Sequence, residues 1–241
     1  MSILTTKKVC QIIIIFVIGT IGGIFADQIL WPYFIERPLF YQYRLEQAPV
    51  NVVEKQEIFI QENSALEETI KKIEKAIVGI KTITAKKEEI QGSGIIITSD
   101  GLVLTLAELL PKNEKTIIFM NDIIPDYTVI KKDEESNLAL IKIEQTNLST
   151  ISFVEIENLK LGKRVFLLGV ILNGKLEKVV NQGIIRNYSD EIIQTNIIEQ
   201  ENLKASPLFD IEGKLIGLSV IDEKGQVSAI PISKIREFIG F

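Results

Sequence analysis

The chain has 241 residues, of which 46% are apolar and 24% are charged, a globular balance that excludes a disordered chain. Its net charge is −5 and it has no basic block, so a nucleic-acid partner is not expected. It has no histidine and one cysteine, Cys10, which excludes an internal disulfide and a thiolate cluster and leaves only carboxylates for a zinc site. No metal or other cofactor is therefore expected.

An apolar segment near the N-terminus, residues 9–31, is long enough to cross a bilayer as one helix, since a span needs roughly 20 residues. Two lysines precede it. By the positive-inside rule they place residues 1–8 in the cytoplasm and the rest of the chain on the periplasmic or outer face of the inner (cytoplasmic) membrane. The alternative is a signal peptide cleaved after Ala26, but Ile24 is a poor match to the small residue that such a site has there. The sequence favours a single-pass anchor.

Residues 32–63 show no sustained period and are predicted to be a stalk or linker. The aromatic cluster Leu39–Tyr43 within it either packs onto its own domain or forms a subunit contact, since aromatic residues anchor interfaces. Ser64 and Glu67 then form a capping box. Apolar residues follow at helical spacing, which predicts a short amphipathic helix over residues 65–76.

From Val78 onward, short apolar runs alternate with turn pairs such as Asp100-Gly101 and Asn173-Gly174. About a dozen short strands separated in this way predict an all-β barrel or sandwich, and the pattern alone does not choose between the two. Pro231 ends the last strand, and residues 232–238 are predicted to form a closing helix.

Four stretches of this body match a known family in their order and spacing. They are Gly92–Thr105, Ser136–Ile143, Gln182–Arg186 and Ser206–Gly217, and Ala229–Pro231 adds a shorter match. These stretches resemble the HtrA/Do (Deg) family of trypsin-like serine proteases, and the N-terminal segment is similar to that of its membrane-anchored branch. The PDZ domain that usually follows in the family is not expected, since the sequence ends at Phe241.

The resemblance implies an all-β fold, a chymotrypsin/trypsin-like double antiparallel β-barrel with the active site between two six-stranded barrels. The predicted transmembrane helix and the short amphipathic helix would precede it. On this basis, residues 64–150 hold the short helix and the first barrel, and residues 151–241 hold the second barrel and the C-terminal helix.

The family's chemistry needs a hydroxyl nucleophile, an imidazole that takes its proton and a carboxylate that orients the imidazole. By resemblance, Glu108 occupies the histidine position, Asn137 the aspartate position and Lys204 the nucleophile position. The catalytic triad is therefore expected to be degenerate, with no member intact. We further predict an ion pair between Glu108 and Lys204, with Asn137 as a neutral polar neighbour.

The former oxyanion-hole loop comprises Asn202, Leu203 and Ala205 by the same resemblance. Family glycines of this loop are replaced by Asn202, Ala205 and Ser206. Asn202 is expected to keep the turn, because asparagine tolerates a positive φ better than other residues with a side chain.

A Ser-Lys dyad is the alternative chemistry, with Lys204 as the base and Ser206 or Ser93 as the nucleophile. It needs a neutral lysine, and the nearby carboxylate of Glu108 argues against one, because a carboxylate keeps a lysine charged.

The sequence thus favours a membrane-anchored HtrA/Do-type homologue that is a pseudoprotease rather than an enzyme. Its role would be to bind an extended peptide or an unfolded protein segment, or to regulate. The alternatives are a serine endopeptidase with the Ser-Lys site and a structural envelope protein. The expected partners are the lipid bilayer and further copies of the chain, since family members commonly form trimers through their N-terminal segments.

Overall fold

The computed structural model describes residues 3–29, 64–121, 123–155 and 159–240, so the predicted stalk and its aromatic cluster lie outside the described residues. The N-terminal unit contains helix α1 (Ile3–Phe25), which a short π-helical stretch extends to residue 29. Side chains from Lys8 to Ile29 have a mean hydropathy of 2.5 and are all exposed. By length and composition, this helix is a candidate membrane span.

The second unit begins with helix α2 (residues 64–73), which a 3₁₀ turn (Glu74–Ala76) follows directly. The amphipathic helix predicted over residues 65–76 is confirmed. Ile73 is buried, and Leu66 and Ile70 pack against the same apolar core. The apolar face of the helix is therefore the face that the spacing indicated.

The first barrel is a six-stranded antiparallel sheet with the order β4-β1-β2-β3-β6-β5. Its strands are β1 (Ile77–Ile83), β2 (Glu89–Ile96), β3 (Leu102–Leu106), β4 (Lys115–Phe119), β5 (Tyr127–Asp133) and β6 (Leu138–Ile143). The predicted hairpin at Asp100-Gly101 joins β2 to β3, and Gly101 has the positive φ of 98° that such a turn requires.

The second barrel has seven strands in the order β11-β8-β9-β10-β13-β12-β7, and a further pairing of β11 with β12 closes the sheet. Its strands are β7 (Ser152–Phe153), β8 (Arg164–Leu172), β9 (Leu176–Tyr188), β10 (Ile193–Ile198), β11 (Pro207–Asp210), β12 (Lys214–Ile221) and β13 (Gln226–Pro231). Helix α3 (Ile232–Ile239) follows β13, as predicted. The seventh strand is the two-residue β7, which runs parallel to β12 and adds to the six strands that the resemblance implies.

The two barrels pack against each other along β2 of the first and β8 of the second. Ser93 on β2 accepts a hydrogen bond from the backbone N–H of Val170 on β8, at 3.0 Å. Two glycines of the first barrel permit the packing, Gly79 on β1 against β8 and Gly92 on β2 against the loop that contains Lys204. A methyl group on Gly79 would lie 3.0 Å from a Leu172 side-chain carbon, and one on Gly92 would lie 2.8 Å from the Lys204 carbonyl oxygen. The residues predicted for the site therefore lie along the seam between the sheets.

Candidate functional site

The structure brings Glu108, Asn137 and Lys204 together at this seam, although they are far apart in the sequence. Glu108 lies in a 3₁₀ turn directly after β3, and Asn137 lies in the turn before β6. The Lys204 ammonium Nζ is 3.7 Å from Glu108 Oε2, and Asn137 Nδ2 donates to Glu108 Oε1 at 3.4 Å. The predicted ion pair and its neutral neighbour are confirmed.

Asn137 holds the backbone of the Glu108 turn as well as its side chain. Its Oδ1 accepts from the Glu108 N–H at 3.0 Å, and its own carbonyl accepts from the Ala107 N–H at 3.0 Å. Asn137 has a positive φ of 53°, a conformation that asparagine adopts more readily than most residues. One neutral amide side chain thus fixes the turn that presents Glu108.

A second carboxylate, which the sequence did not indicate, makes the shorter contact with Lys204. Glu201 Oε1 lies 2.6 Å from Lys204 Nζ. Glu201 is the first residue of the 3₁₀ turn Glu201–Leu203 and Lys204 directly follows it, and in such a turn side chains three positions apart lie over one another. The i,i+3 spacing of opposite charges was the signal available, but it is common on solvated turns.

The two carboxylates keep Lys204 protonated. Partial burial by itself lowers the pKa of the Lys204 ammonium, but the hydrogen bond to Glu201 and the negative charge of Glu108 outweigh it, so that its pKa lies above the ordinary value. In return, the hydrogen bond from Lys204 lowers the pKa of Glu201. Lys204 is therefore a cation at neutral pH and cannot accept a proton.

Four backbone amides of the loop predicted to be the former oxyanion-hole loop, those of residues 203–206, are used within the protein. The N–H groups of Leu203, Lys204, Ala205 and Ser206 donate to the carbonyls of Gln200, Glu201, Ser219 and Leu203, at 3.0, 3.1, 2.9 and 3.3 Å respectively. An oxyanion hole needs preorganised donors that are left for the substrate. These four amides are already committed to other acceptors.

The turn expected at Asn202 is in a different place. Asn202 lies inside the 3₁₀ turn, and the positive φ of this loop, 59°, belongs to Ala205. The prediction was wrong because it followed residue preference alone. The 3₁₀ turn requires right-handed φ angles at Asn202, so the chain reverses only after that turn ends.

Ser206 and Ser93, the alternative nucleophiles, are both fully buried. The Ser206 hydroxyl donates to the Leu203 carbonyl at 2.7 Å, and its oxygen lies 3.1 Å from the Ser93 hydroxyl oxygen. Among the described residues, no hydrogen bond joins Lys204 Nζ to either serine. The structure therefore brings together the three residues predicted for the triad positions but does not assemble the Ser-Lys pair.

Above the ion pair is a cavity of about 350 Å³. It is lined by Glu89, Ile90, Gln91, Glu108, Asn173, Glu201, Asn202 and Lys204. Asn202 Oδ1 is buried beside it and has no hydrogen-bond partner among the described residues. Within those residues, no cluster of His, Cys, Asp and Glu side chains is arranged to hold a metal ion. The cavity provides charged and amide groups for binding rather than a proton-transfer pair.

Comparison with known proteins shows which proteins this chain resembles. A model of the trypsin-like peptidase domain family matches residues 92–218, a range that includes Glu108, Asn137 and Lys204. Serine protease HTRA1A of Danio rerio is 29% identical over 193 aligned residues, which cover 71% of this chain and 40% of the relative. A probable periplasmic serine endoprotease, DegP-like, of Halomonas elongata is 28% identical over 137 residues, which cover 53% of this chain and 28% of the relative.

A solved structure supports the same assignment. The serine endoprotease from Yersinia pestis is 25% identical and superposes with a TM-score of 0.64, covering 73% of this chain and 65% of that chain. The match covers 40% or less of the length of the two curated relatives named above.

Proposed function

The chain belongs to the trypsin-like peptidase domain family and, within it, to the HtrA group, and from this premise we propose that it is a membrane-anchored pseudoprotease that binds polypeptide without cutting it. Its relatives are serine proteases, so the family is enzymatic. The observation that carries the proposal is Lys204: the residue in the nucleophile position is a cation held between two carboxylates, 2.6 and 3.7 Å away.

The absence of imidazole chemistry supports this proposal. Histidine is the general base that takes the nucleophile's proton in the triad mechanism, and this chain has none. Glu108 in the histidine position makes an ion pair with Lys204 instead of facing a hydroxyl. An enzyme that has lost its triad keeps only the rate enhancement supplied by binding and the oxyanion hole.

The internal hydrogen bonds of the loop weaken even that residual route. The Lys204 N–H, in the position of the nucleophile's amide, donates to the Glu201 carbonyl at 3.1 Å. Because removal of one oxyanion-hole donor costs about 2.7–4 kcal/mol in a serine protease, the commitment of the Lys204 amide would remove much of any remaining activity.

The Ser-Lys alternative has less support. It requires a lysine that desolvation keeps neutral. That lysine must also lie within hydrogen-bond reach of an exposed serine. Here the pKa of Lys204 is raised, while Ser206 and Ser93 are fully buried and bonded to each other.

Binding would use the cavity beside the ion pair. An extended segment of an unfolded polypeptide could add to the strands at the cavity edge, with main-chain hydrogen bonds supplying affinity. The helix Lys8–Ile29 would anchor the chain as a single pass, with the barrels on the extracytoplasmic side. Association of several copies would give the assembly several binding sites for one polypeptide.

The test uses the full-length chain in detergent. Hydrolysis of a fluorogenic unfolded polypeptide should be absent, and a fluorophosphonate probe should label no serine. A broad library of extended peptides should still contain binders, and Lys204→Ala should alter their affinity. Lys115→Ala, which removes an exposed lysine from β4, should not. Cleavage that is lost in Lys204→Ala or Ser206→Ala would overturn the proposal, and so would failure of every peptide to bind.

A further inference from the structure

The peptide unit between Leu203 and Lys204 is held at both of its ends. Its carbonyl oxygen accepts the hydroxyl protons of Ser206, at 2.7 Å, and of Ser219, at 3.3 Å. Its N–H donates to the Glu201 carbonyl at 3.1 Å. Because a peptide unit is planar, fixing the direction of the carbonyl also fixes the direction of the N–H.

The Ser206 hydroxyl is the last donor in a chain of hydrogen bonds that has one direction. The Val170 N–H can only donate, so Ser93 Oγ accepts from it, at 3.0 Å. The Leu203 carbonyl can only accept, so the single proton of Ser206 goes to it. Ser93 must then donate its own proton across the 3.1 Å to Ser206 Oγ.

This series of hydrogen bonds starts in the second barrel, passes through the first and returns to the loop of the second. Val170 lies on β8, Ser93 on β2 and Ser206 directly before β11. Val170, Ser93 and Ser206 have 0% exposure, so water does not compete for these bonds. The orientation of the loop thus depends on how the two barrels are docked.

The surroundings are built around the Ser206 hydroxyl. A methyl group on Gly169 would lie 2.1 Å from Ser206 Oγ, so the hydroxyl occupies the space that a side chain on β8 would fill. Ser93 also contacts the loop through its backbone, since its N–H donates to the Lys204 carbonyl at 2.9 Å. The hydroxyl therefore lies in a site with a defined donor, a defined acceptor and room for one oxygen.

We propose that the Ser206 hydroxyl, oriented by Ser93, is a conformational lock that holds the Leu203–Lys204 peptide unit with its N–H committed to the Glu201 carbonyl. The lock rests on the proposed function, because it accounts for why the Lys204 amide is not offered to a carbonyl or oxyanion of a bound polypeptide. It is a property of the Ser93–Ser206 pair, and it requires no contribution from the charges of Glu108 and Glu201.

The test measures backbone amide exchange of Lys204 by NMR on the isotope-labelled full-length chain in detergent micelles. Each of Ser206→Ala and Ser93→Ala should accelerate that exchange about five- to ten-fold relative to the amides of β1, which report global unfolding. The double variant should be no faster than the faster single variant, because both changes break one chain. Ser228→Ala removes a half-buried serine hydroxyl from β13 and should leave Lys204 unchanged.

Two results would overturn the lock. One is an unchanged Lys204 amide in Ser206→Ala, or in Ser206→Gly should the alanine variant not fold. The other is multiplication of the two single effects in the double variant, which would make the hydroxyls independent. Peptide hydrolysis by the unaltered chain would refute the pseudoprotease function without deciding the lock, which stands or falls on the exchange data.

Discussion

Two groups of polar residues lie within one short loop and its surroundings, and they do different work. The charge cluster of Glu108, Glu201 and Lys204 lies at the surface of the seam, where solvent screens it. The hydroxyl chain of Ser93 and Ser206 lies beneath it, fully buried. Exposed ion pairs contribute about 0–1 kcal/mol, whereas an unmade buried hydrogen bond costs about 1–3 kcal/mol. The charges therefore define the chemistry of the cleft, and the hydroxyls define its shape.

The largest expected effect comes from filling the space around the hydroxyl chain. Gly169→Ala would place a methyl group 2.1 Å from Ser206 Oγ and 2.7 Å from Leu203 Cδ2. Overpacking of this kind costs up to about 3 kcal/mol, and urea unfolding followed by circular dichroism would measure it. Adding Ser206→Gly should recover part of the loss, because it removes one of the two obstacles. A fully stable Gly169→Ala variant would contradict the close packing.

Breaking the hydrogen-bond series at Ser93 should have the next largest effect on the free energy of unfolding. Ser93→Ala leaves the Val170 N–H without its acceptor and Ser206 Oγ without its donor. The free energy of unfolding should fall by about 2 kcal/mol, since both groups are buried. Ser228→Ala is the matched control and should change it by less than about 0.5 kcal/mol. Equal losses in the two variants would show that the buried hydroxyl chain contributes no more to stability than an ordinary serine hydroxyl.

Asn137, which holds the turn that presents Glu108, should show an intermediate effect when it is replaced. Asn137→Ala removes the acceptor of the Glu108 N–H and places alanine at a φ of 53°. We expect a loss of about 1 kcal/mol in unfolding free energy. Asn137→Gly relieves the backbone strain but not the lost hydrogen bond, so its loss should be smaller. An Asn137→Gly variant less stable than Asn137→Ala would show that the positive φ is not a source of strain.

The sequence anticipated the parts of this site that depend on motif order. Glu108, Asn137 and Lys204 were placed by their spacing from recognisable strands, and the fold brings them together. The hydroxyl chain was not predictable in this way. Ser93 and Ser206 are 113 positions apart, and buried serines have no periodicity that marks them as partners.

Local residue preference misled at two positions of the loop. It assigned the positive φ to Asn202, but the 3₁₀ turn moved it to Ala205, where no preference supports it. It also gave no weight to Glu201, whose carboxylate proved to be nearer to Lys204 than that of Glu108. In both cases the 3₁₀ conformation of residues 201–203 decided the outcome, and a preference of single residues does not indicate that conformation.

The smallest expected effect on stability belongs to the charge cluster, and its pH dependence distinguishes it from the hydroxyl chain. The pKa of Glu201 is lowered by its hydrogen bond to Lys204, so its contribution is present above the ordinary value of 4.5 and is lost as the pH falls through the lowered pKa. The pKa of Lys204 is raised, so its contribution is present below the ordinary value of 10.5 and is lost as the pH rises through the raised pKa.

Lys204→Gln should therefore lower the free energy of unfolding by about 0.5 kcal/mol at neutral pH, and the difference from the unaltered chain should shrink in acid as Glu201 becomes protonated. Salt should also reduce it, because both carboxylates are solvent-accessible. The loss in Ser93→Ala should respond to neither pH nor salt, since no member of the hydroxyl chain titrates. Urea unfolding at acidic and neutral pH, with Lys115→Gln as the control, would check both. A pH-dependent loss in Ser93→Ala would mean that the two regions are coupled.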